Sequence, residues 1–531
     1  MAQYDILIKN GVVLDGLGGK IENIDIGISG DEIKDIGKLN DNAAKIIDGR
    51  DKYVTPGFID LTNHSDTHWT LFKYPPQESL LYQGITTILG GNCGSSLAPI
   101  VNEDSLEEIR RWVDTSQINI NWQTMKEFLD ELSRQKLGVN FATLVGFNTI
   151  AQSILGKEIK IPSKDDVDQI KILIENAIEE GAFGVSTNFG LANVKLFKDE
   201  DVIEIFSTLK KYNVILKHHL EDEGINILPA ISRAIKLGRE TKNKTHFTHF
   251  KLLGRGAWEF INGAIDMIKR GLDEGQEITC DVFPYTKTGS SLFMFLPSWF
   301  KKLPAKEAEN IIKSKEDARR KNLKEYLKDM TLHYENIIIA SAPKQLNISG
   351  KTIKDLMEET GLDGEEIILN LLETNNFRVS VFNESVLSEN VEKIVKEDFC
   401  AIASDGVGYQ ISNARYQMTD LPHPRSFGAF PRAIEWFVKE KRILDWEQII
   451  YKMTGLPAKI LGIKDRGVIK KGNKADILVI DPFKISSLAT YENPFKYTTG
   501  IETVIVNGGI SIENGLFTGQ LNGRTLKRGR V

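Results

Sequence analysis

His219 and His249 stand 30 residues apart, the length of one βα repeat, and each closes a short apolar run. The chain has only 8 His, so two at matching strand ends are informative. Cys93 lies in Gly90-Gly-Asn-Cys-Gly-Ser95, where flanking glycines let the backbone come close and expose the sulfur. A thiolate with imidazoles is a borderline-soft donor set that suits zinc, and a catalytic zinc site keeps one position open for water. Asp405, in Ile402-Ala-Ser-Asp-Gly406, is a carboxylate able to orient and deprotonate such a water. Each residue also has a plainer reading: a hydrogen-bonded histidine near a core, a small apolar cysteine, a turn-forming Asp-Gly. Their shared position at strand ends favours chemistry. His218 alternates onto the opposite face from His219 and reads as structural.

The elements that must position these residues form a regular series. Apolar runs at 58–62, 86–92, 140–146, 183–188, 214–220, 244–250, 277–285 and 400–406 alternate with helical stretches such as Asp166 to Glu180 and Asp199 to Lys211. Eight such strands predict an α/β fold, a (β/α)8 barrel over residues 58–463 with its chemistry at the C-terminal strand ends. His64, Cys93, His219, His249 and Asp405 all fall there. Both chain ends are β-rich, and Asn10-Gly11 and Asn507-Gly508 read as hairpin turns. Neither end has enough strands to bury a face alone, so 1–57 and 464–531 are expected to form one small β-sandwich. The gap before the eighth strand is long, aromatic and then charged. It predicts an insertion near 287–330 that covers the barrel mouth with Leu292 to Leu296, Trp299 and Phe300.

Composition narrows the partners. The chain has 531 residues, 41% hydrophobic and 26% charged, so a sizeable core is available and disorder is excluded. Lys+Arg 67 against Asp+Glu 73 gives a net charge of −6, with no basic block to release counterions from nucleic acid. Three cysteines far apart in sequence make no disulfide framework. Without a signal-like start or a long apolar run, the expectation is a cytoplasmic protein with a small-molecule substrate, bound to neither nucleic acid nor membrane. Nothing in the sequence fixes the oligomeric state.

The order Pro56-Gly-Phe-Ile-Asp60, Gly91-Asn-Cys-Gly94, His219, His249-Phe-Lys251, Asp281-Val-Phe-Pro-Tyr285, Ser404-Asp-Gly406, His423-Pro-Arg425 and Met453-Thr-Gly-Leu-Pro-Ala458 resembles the N-acyl-D-amino-acid deacylase (D-aminoacylase) family of the amidohydrolase superfamily. The resemblance spans nearly the whole chain and implies a metal-dependent hydrolase barrel with a β-sandwich built from both termini. It also implies zinc-dependent hydrolysis of the amide bond of N-acyl-D-amino acids. By the same resemblance Cys93, His219 and His249 are the tight zinc ligands, Asp405 the general base, and Lys251, Tyr285 and Arg425 the binders of the substrate carboxylate. The sequence departs from the family in one place. His-X-His after the first strand is here Thr62-Asn63-His64, so one zinc is expected to bind tightly, with His64 and Asp405 left as a weak second site. His68 could compensate only if its stretch were helical. Two other readings remain: a cyclic-amide hydrolase like dihydropyrimidinase or dihydroorotase, and a barrel scaffold without catalysis. The absence of Lys from Phe183 to Asn188 argues against the first, since those relatives use a carboxylated Lys there. Retention of Cys93, His219, His249 and Asp405 together argues against the second.

Overall fold

Short runs of β-branched and aliphatic residues, apolar on both faces, can bury both sides only inside a layer of helices, and that is where they lie. In a computed structural model, which describes residues 2–529 apart from 41, 111–118, 157–159, 192–193, 302, 331 and 412–419, all eight runs are parallel barrel strands. Phe58–Asp60, Ile85–Gly90 and Asn140–Thr143 pair in that order. Val145–Gly146 continues the third run onto Gly184–Asn188, Ile215–His219, Lys244–Phe247, Ile278–Val282 and Cys400–Ile402. A parallel bridge from Asn63 to Gly406 closes the circle. The helices start as their sequences dictate. Ser163 and Asp166 form a capping box on Lys164–Glu179, and Gly181, at φ 127°, turns the chain into the next strand. Among the described residues no helix is long and apolar enough to cross a membrane.

Strands from both chain ends share one nine-stranded hydrogen-bonded sheet, which curls back on itself where Glu32 bridges to Lys474, just before Ile477–Ile480. Its centre is Tyr53–Pro56, which pairs with Ile477–Ile480 on one side and with Tyr4–Leu14 on the other. Asn507-Gly508 is a two-residue hairpin turn, both residues at positive φ. Asn10-Gly11 is not. It is a bulge inside the continuous strand Tyr4–Leu14, with Asn10 at φ 58° and its N–H donated to Asp25 Oδ1 at 2.9 Å. The bulge lets one strand change parallel partners, from Ala43–Asp48 before it to Tyr53–Pro56 after it.

The insertion is larger than the sequence suggests. Lys287–Ser291, Ser380–Glu384 and Ile337–Ser341 form a three-stranded antiparallel sheet. Helices Ala305–Lys313, Ala318–Asp329, Ile353–Thr360 and Gly364–Thr374 belong to the same unit, so it runs to Glu384, well past 330. It has its own core, and Leu292, Leu296 and Phe300 are buried in it. These residues therefore serve the insertion's packing instead of facing a substrate, while Met294 and Trp299 are exposed.

The sheet is fastened to the barrel by Asp476, which is buried with Arg466 in an ion pair. Asp476 also accepts from Asn140 Nδ2 of the third barrel strand at 3.0 Å and from the Asn507 N–H at 2.7 Å. Removing one partner of a buried pair leaves an uncompensated charge, at about 3 to 5 kcal/mol. Asp476→Ala should therefore lower unfolding stability by about that amount; a thermal or denaturant transition indistinguishable from the parent's would refute this role.

Candidate metal centre

The predicted soft ligands converge at the barrel mouth. One ligand atom each from Cys93, His219 and His249 lie within 4.8 Å of one another. Cys93 Sγ is 3.4 Å from His249 Nε2, and the His219 and His249 rings meet edge-on with centroids 4.6 Å apart. Three site residues adopt left-handed backbone, Cys93 at φ 55°, His249 at φ 37° and Asp405 at φ 50°. Such conformations cost about 1 to 3 kcal/mol each in non-glycine residues and persist only where neighbours over-determine them. Around Cys93, Gly91 donates its N–H to Asp66 Oδ2 at 2.6 Å, Gly94 donates to Ser186 Oγ at 3.0 Å, and Asn92 Nδ2 donates to Leu89 O at 2.7 Å. The His249 N–H is held by Asp281 Oδ1 at 2.6 Å. Before Asp405, the Ser404 N–H donates to Asp60 Oδ1 at 2.8 Å.

Electrostatics prepare the sulfur. Burial opposes ionisation of Cys93, but His249, His219 and His64 outweigh it and hold the thiol well below its ordinary range. For His249, burial and Lys251 oppose protonation, yet Cys93, Asp405 and Glu223 raise it to about 9. These groups thus balance a thiolate against imidazolium protons that a metal ion would displace. His219 Nδ1 is buried with no hydrogen-bond partner among the described residues, an orphaned donor in the same cluster. A thiolate and two imidazoles, one of them carrying the unsatisfied buried nitrogen, fit a divalent metal, with Cys93, His219 and His249 as the residues able to hold it.

Asp405 sits beside this group. Its Oδ1 is 3.1 Å from His64 Nε2, and its Oδ2 is 2.6 Å from Arg425 Nη1. Against the penalty of burial, Arg425, His249 and His64 keep Asp405 ionised well below the usual carboxylate range. His64 Nε2 is also 4.0 Å from Cys93 Sγ; burial opposes its charging, but Asp405 and Cys93 hold it up at about 10. His68 follows by one turn, its N–H donated to His64 O at 2.9 Å, but its ring is 6.3 Å from that of His64 and outside the ligand group. Buried His218 pairs its Nδ1 with Thr187 Oγ1 at 2.8 Å, away from the cluster.

The three expected carboxylate binders are not equivalent. Lys251 and Arg425 lie over the same Phe283 ring, at 5.9 and 5.1 Å from its centroid. Lys251 Nζ is also engaged at 2.6 Å by Glu223 Oε1 and at 2.9 Å by His249 Nδ1. Tyr285 stands apart from this pair. Its ring packs edge-on against His423 and Tyr491, and its hydroxyl lies by Gly428 and Ser487. Sequence reasoning missed Glu223, whose Oε1 is 3.1 Å from His249 Nδ1 and orients that ring. It gave no role to Asp281, quoted only as part of a motif, and missed Lys217; the two form a buried pair beside the Cys93, His219 and His249 group. Only the position of Glu223, in the loop just past His219, and that of Lys217, on His219's face of the strand, hinted at them.

The model of the Amidohydrolase family matches residues 318–511. The chain is 26% identical over 526 residues to the D-aminoacylase of Alcaligenes xylosoxydans xylosoxydans, across 99% of this chain and 98% of that one. A solved D-aminoacylase, described through a binuclear metal centre with one-metal activation and second-metal attenuation, superposes with a TM-score of 0.80 at 25% identity, covering 99% of this chain and 100% of that one. The N-acyl-D-glutamate deacylase of Bordetella bronchiseptica, complexed with zinc and a phosphonate mimic of the tetrahedral intermediate, superposes with a TM-score of 0.80 at 24% identity, covering 99% of each chain.

Losing the sulfur leaves two imidazoles and poor geometry for the metal. Cys93→Ala should lose most bound metal, as counted by elemental analysis of the purified protein. Full metal retention by that variant would remove Cys93 from the ligand set.

Proposed function

We propose that this amidohydrolase, a homologue of the D-aminoacylases, cleaves the amide bond of N-acyl-D-amino acids to a carboxylic acid and a D-amino acid, using zinc held by Cys93, His219 and His249. The observation that carries the reading is the cluster of one thiolate and two imidazoles within 4.8 Å, with the ionised Asp405 beside it at the strand ends. When bound, zinc polarises the substrate carbonyl and lowers the pKa of water. The chain's own residues do the rest. Asp405 accepts a proton from the attacking water as the new C–O bond forms, then delivers it to the departing nitrogen as the C–N bond breaks. His64, against Asp405 Oδ1, fixes the orientation of that carboxylate.

Arg425 has donors beyond the one turned to Asp405, and its planar fork suits the α-carboxylate of the substrate. Lys251, across the Phe283 ring, adds a second positive charge on the same side. A carboxylate bound there draws Arg425's charge away from Asp405, which raises the proton affinity of the base once substrate is in place. The fourth strand, Gly184–Asn188, has no lysine to be carboxylated, and its Ser186 is committed to the Gly91–Gly94 turn. That favours linear over cyclic amides.

A panel of N-acetyl-D- and N-acetyl-L-amino acids, run on metal-analysed enzyme, tests the reading. Turnover should be confined to D substrates with a free carboxylate; no hydrolysis of any member despite full zinc loading would defeat it. Asp405→Asn preserves shape without the proton acceptor, so turnover should fall by at least about 10²-fold while zinc stays bound. Arg425→Ala should lower kcat/KM by about tenfold or more and erase the preference for the acid over its methyl ester. Equal activity of the parent enzyme on acid and ester would argue against a carboxylate site at Arg425.

A further inference from the structure

Lys217 is fully buried, with its Nζ at ion-pair distance from an equally buried carboxylate, that of Asp281. It lies on the fifth barrel strand, Ile215–His219, and shares the inward face with His219 two residues on. Its ammonium donates to Leu61 O at 2.6 Å, to Asn92 Oδ1 at 2.8 Å and to Thr62 Oγ1, and stands 3.1 Å from Asp281 Oδ2. Thr62 in turn donates its hydroxyl to Asp281 Oδ2 at 2.6 Å. Four oxygens therefore surround one cation beside the Cys93, His219 and His249 group. They come from the end of the first strand, the Cys93 turn and the seventh strand.

Thr62 occupies the position where the resembled family has the first His of its His-X-His pair. An imidazole at position 62 would have to enter the space held by Lys217 Nζ and the Asp281 carboxylate, because Thr62 Oγ1 already touches both. The other side of that second site is also taken, since Asp405 Oδ2 is paired with Arg425. Among the described residues only Cys93, His219 and His249 come together closely enough to hold an ion.

We propose that the Lys217 ammonium is a built-in cation that takes the place of a second metal ion, so that this centre works with one metal by construction. Lys217 is then a positioning residue. It neutralises Asp281 and, through that carboxylate's bond to the His249 N–H, keeps a ligand of the single metal in register. The inference rests on the proposed metal-dependent hydrolysis and deepens it.

The test counts ions on the purified full-length enzyme, incubated with excess zinc, passed through gel filtration and analysed for metal per chain. Cobalt substitution followed by absorbance gives a second, optical count. The parent should hold about one ion, Thr62→His alone should still hold about one, and Thr62→His combined with Lys217→Ala should rise to about two. A second tightly held ion in the parent or in Thr62→His overturns the inference, as does a folded double variant that keeps a single ion. If the double variant does not fold, the count for Thr62→His decides: one ion sustains the inference and two refute it. A parent that hydrolyses N-acyl-D-amino acids with two tight ions defeats the role of Lys217 and leaves the function standing. One ion without hydrolysis of any such substrate does the reverse.

Discussion

The carboxylate of Asp281 is the group around which the barrel mouth is arranged. It is fully buried, where an unpaired charge would cost several kcal/mol. Burial pushes its proton affinity up, but Lys217 first, then His246 and Thr62, reverse this and keep it ionised well below the usual carboxylate range. Its two oxygens take Thr62 Oγ1 at 2.6 Å, His246 Nε2 at 2.8 Å, Lys217 Nζ at 3.1 Å and the His249 N–H at 2.6 Å. Those partners come from the first, fifth and sixth strands, so one charge sets the relative positions of three strand ends. His249, just past the sixth strand, is aimed by its backbone through this bond.

The same logic explains the strained backbone. Cys93, His249 and Asp405 each turn through left-handed conformations just past a strand, and the first two come together there with His219. Buried polar side chains hold each turn: Asp66 and Ser186 for the first, Asp281 for the second, Asp60 for the third. Asp60 is itself perturbed, raised to about 6 chiefly by burial, which shows how much desolvation the scaffold tolerates to fix these turns. A site prepared in this way needs little rearrangement to hold a charged transition state.

How much of this was legible in the sequence depended on whether a residue's type already implied its surroundings. The eight apolar runs were legible because short strands buried on both faces have few alternatives. Cys93 was legible because glycines bracket it, and His219 and His249 because a repeat separates them. Asn10-Gly11 misled, since an Asn at positive φ followed by Gly serves a bulge as well as a hairpin, and only the change of partner from Ala43–Asp48 to Tyr53–Pro56 decides. The insertion's true extent was hidden because its core is assembled from residues such as Leu292 and Val381, far apart in sequence. Lys217, Glu223 and Asp281 were illegible for a physical reason. Charged residues belong in water unless specific partners surround them, and those partners lie on other strands.

The nine-stranded sheet bears on how the chain reaches this state during synthesis. Tyr53–Pro56 is made early, but its antiparallel neighbour Ile477–Ile480 emerges roughly 420 residues later. Throughout that interval the nascent amino-terminal strands present an open β edge with an apolar face, the kind of surface that recruits other strands. The barrel's first strand follows directly after Tyr53–Pro56, so the candidate metal centre and this unfinished edge coexist on the ribosome. Completion of the sheet therefore waits for the carboxy-terminal segment, whose tail also clasps the barrel through the bridges Leu137 to Gly523 and Phe141 to Thr525.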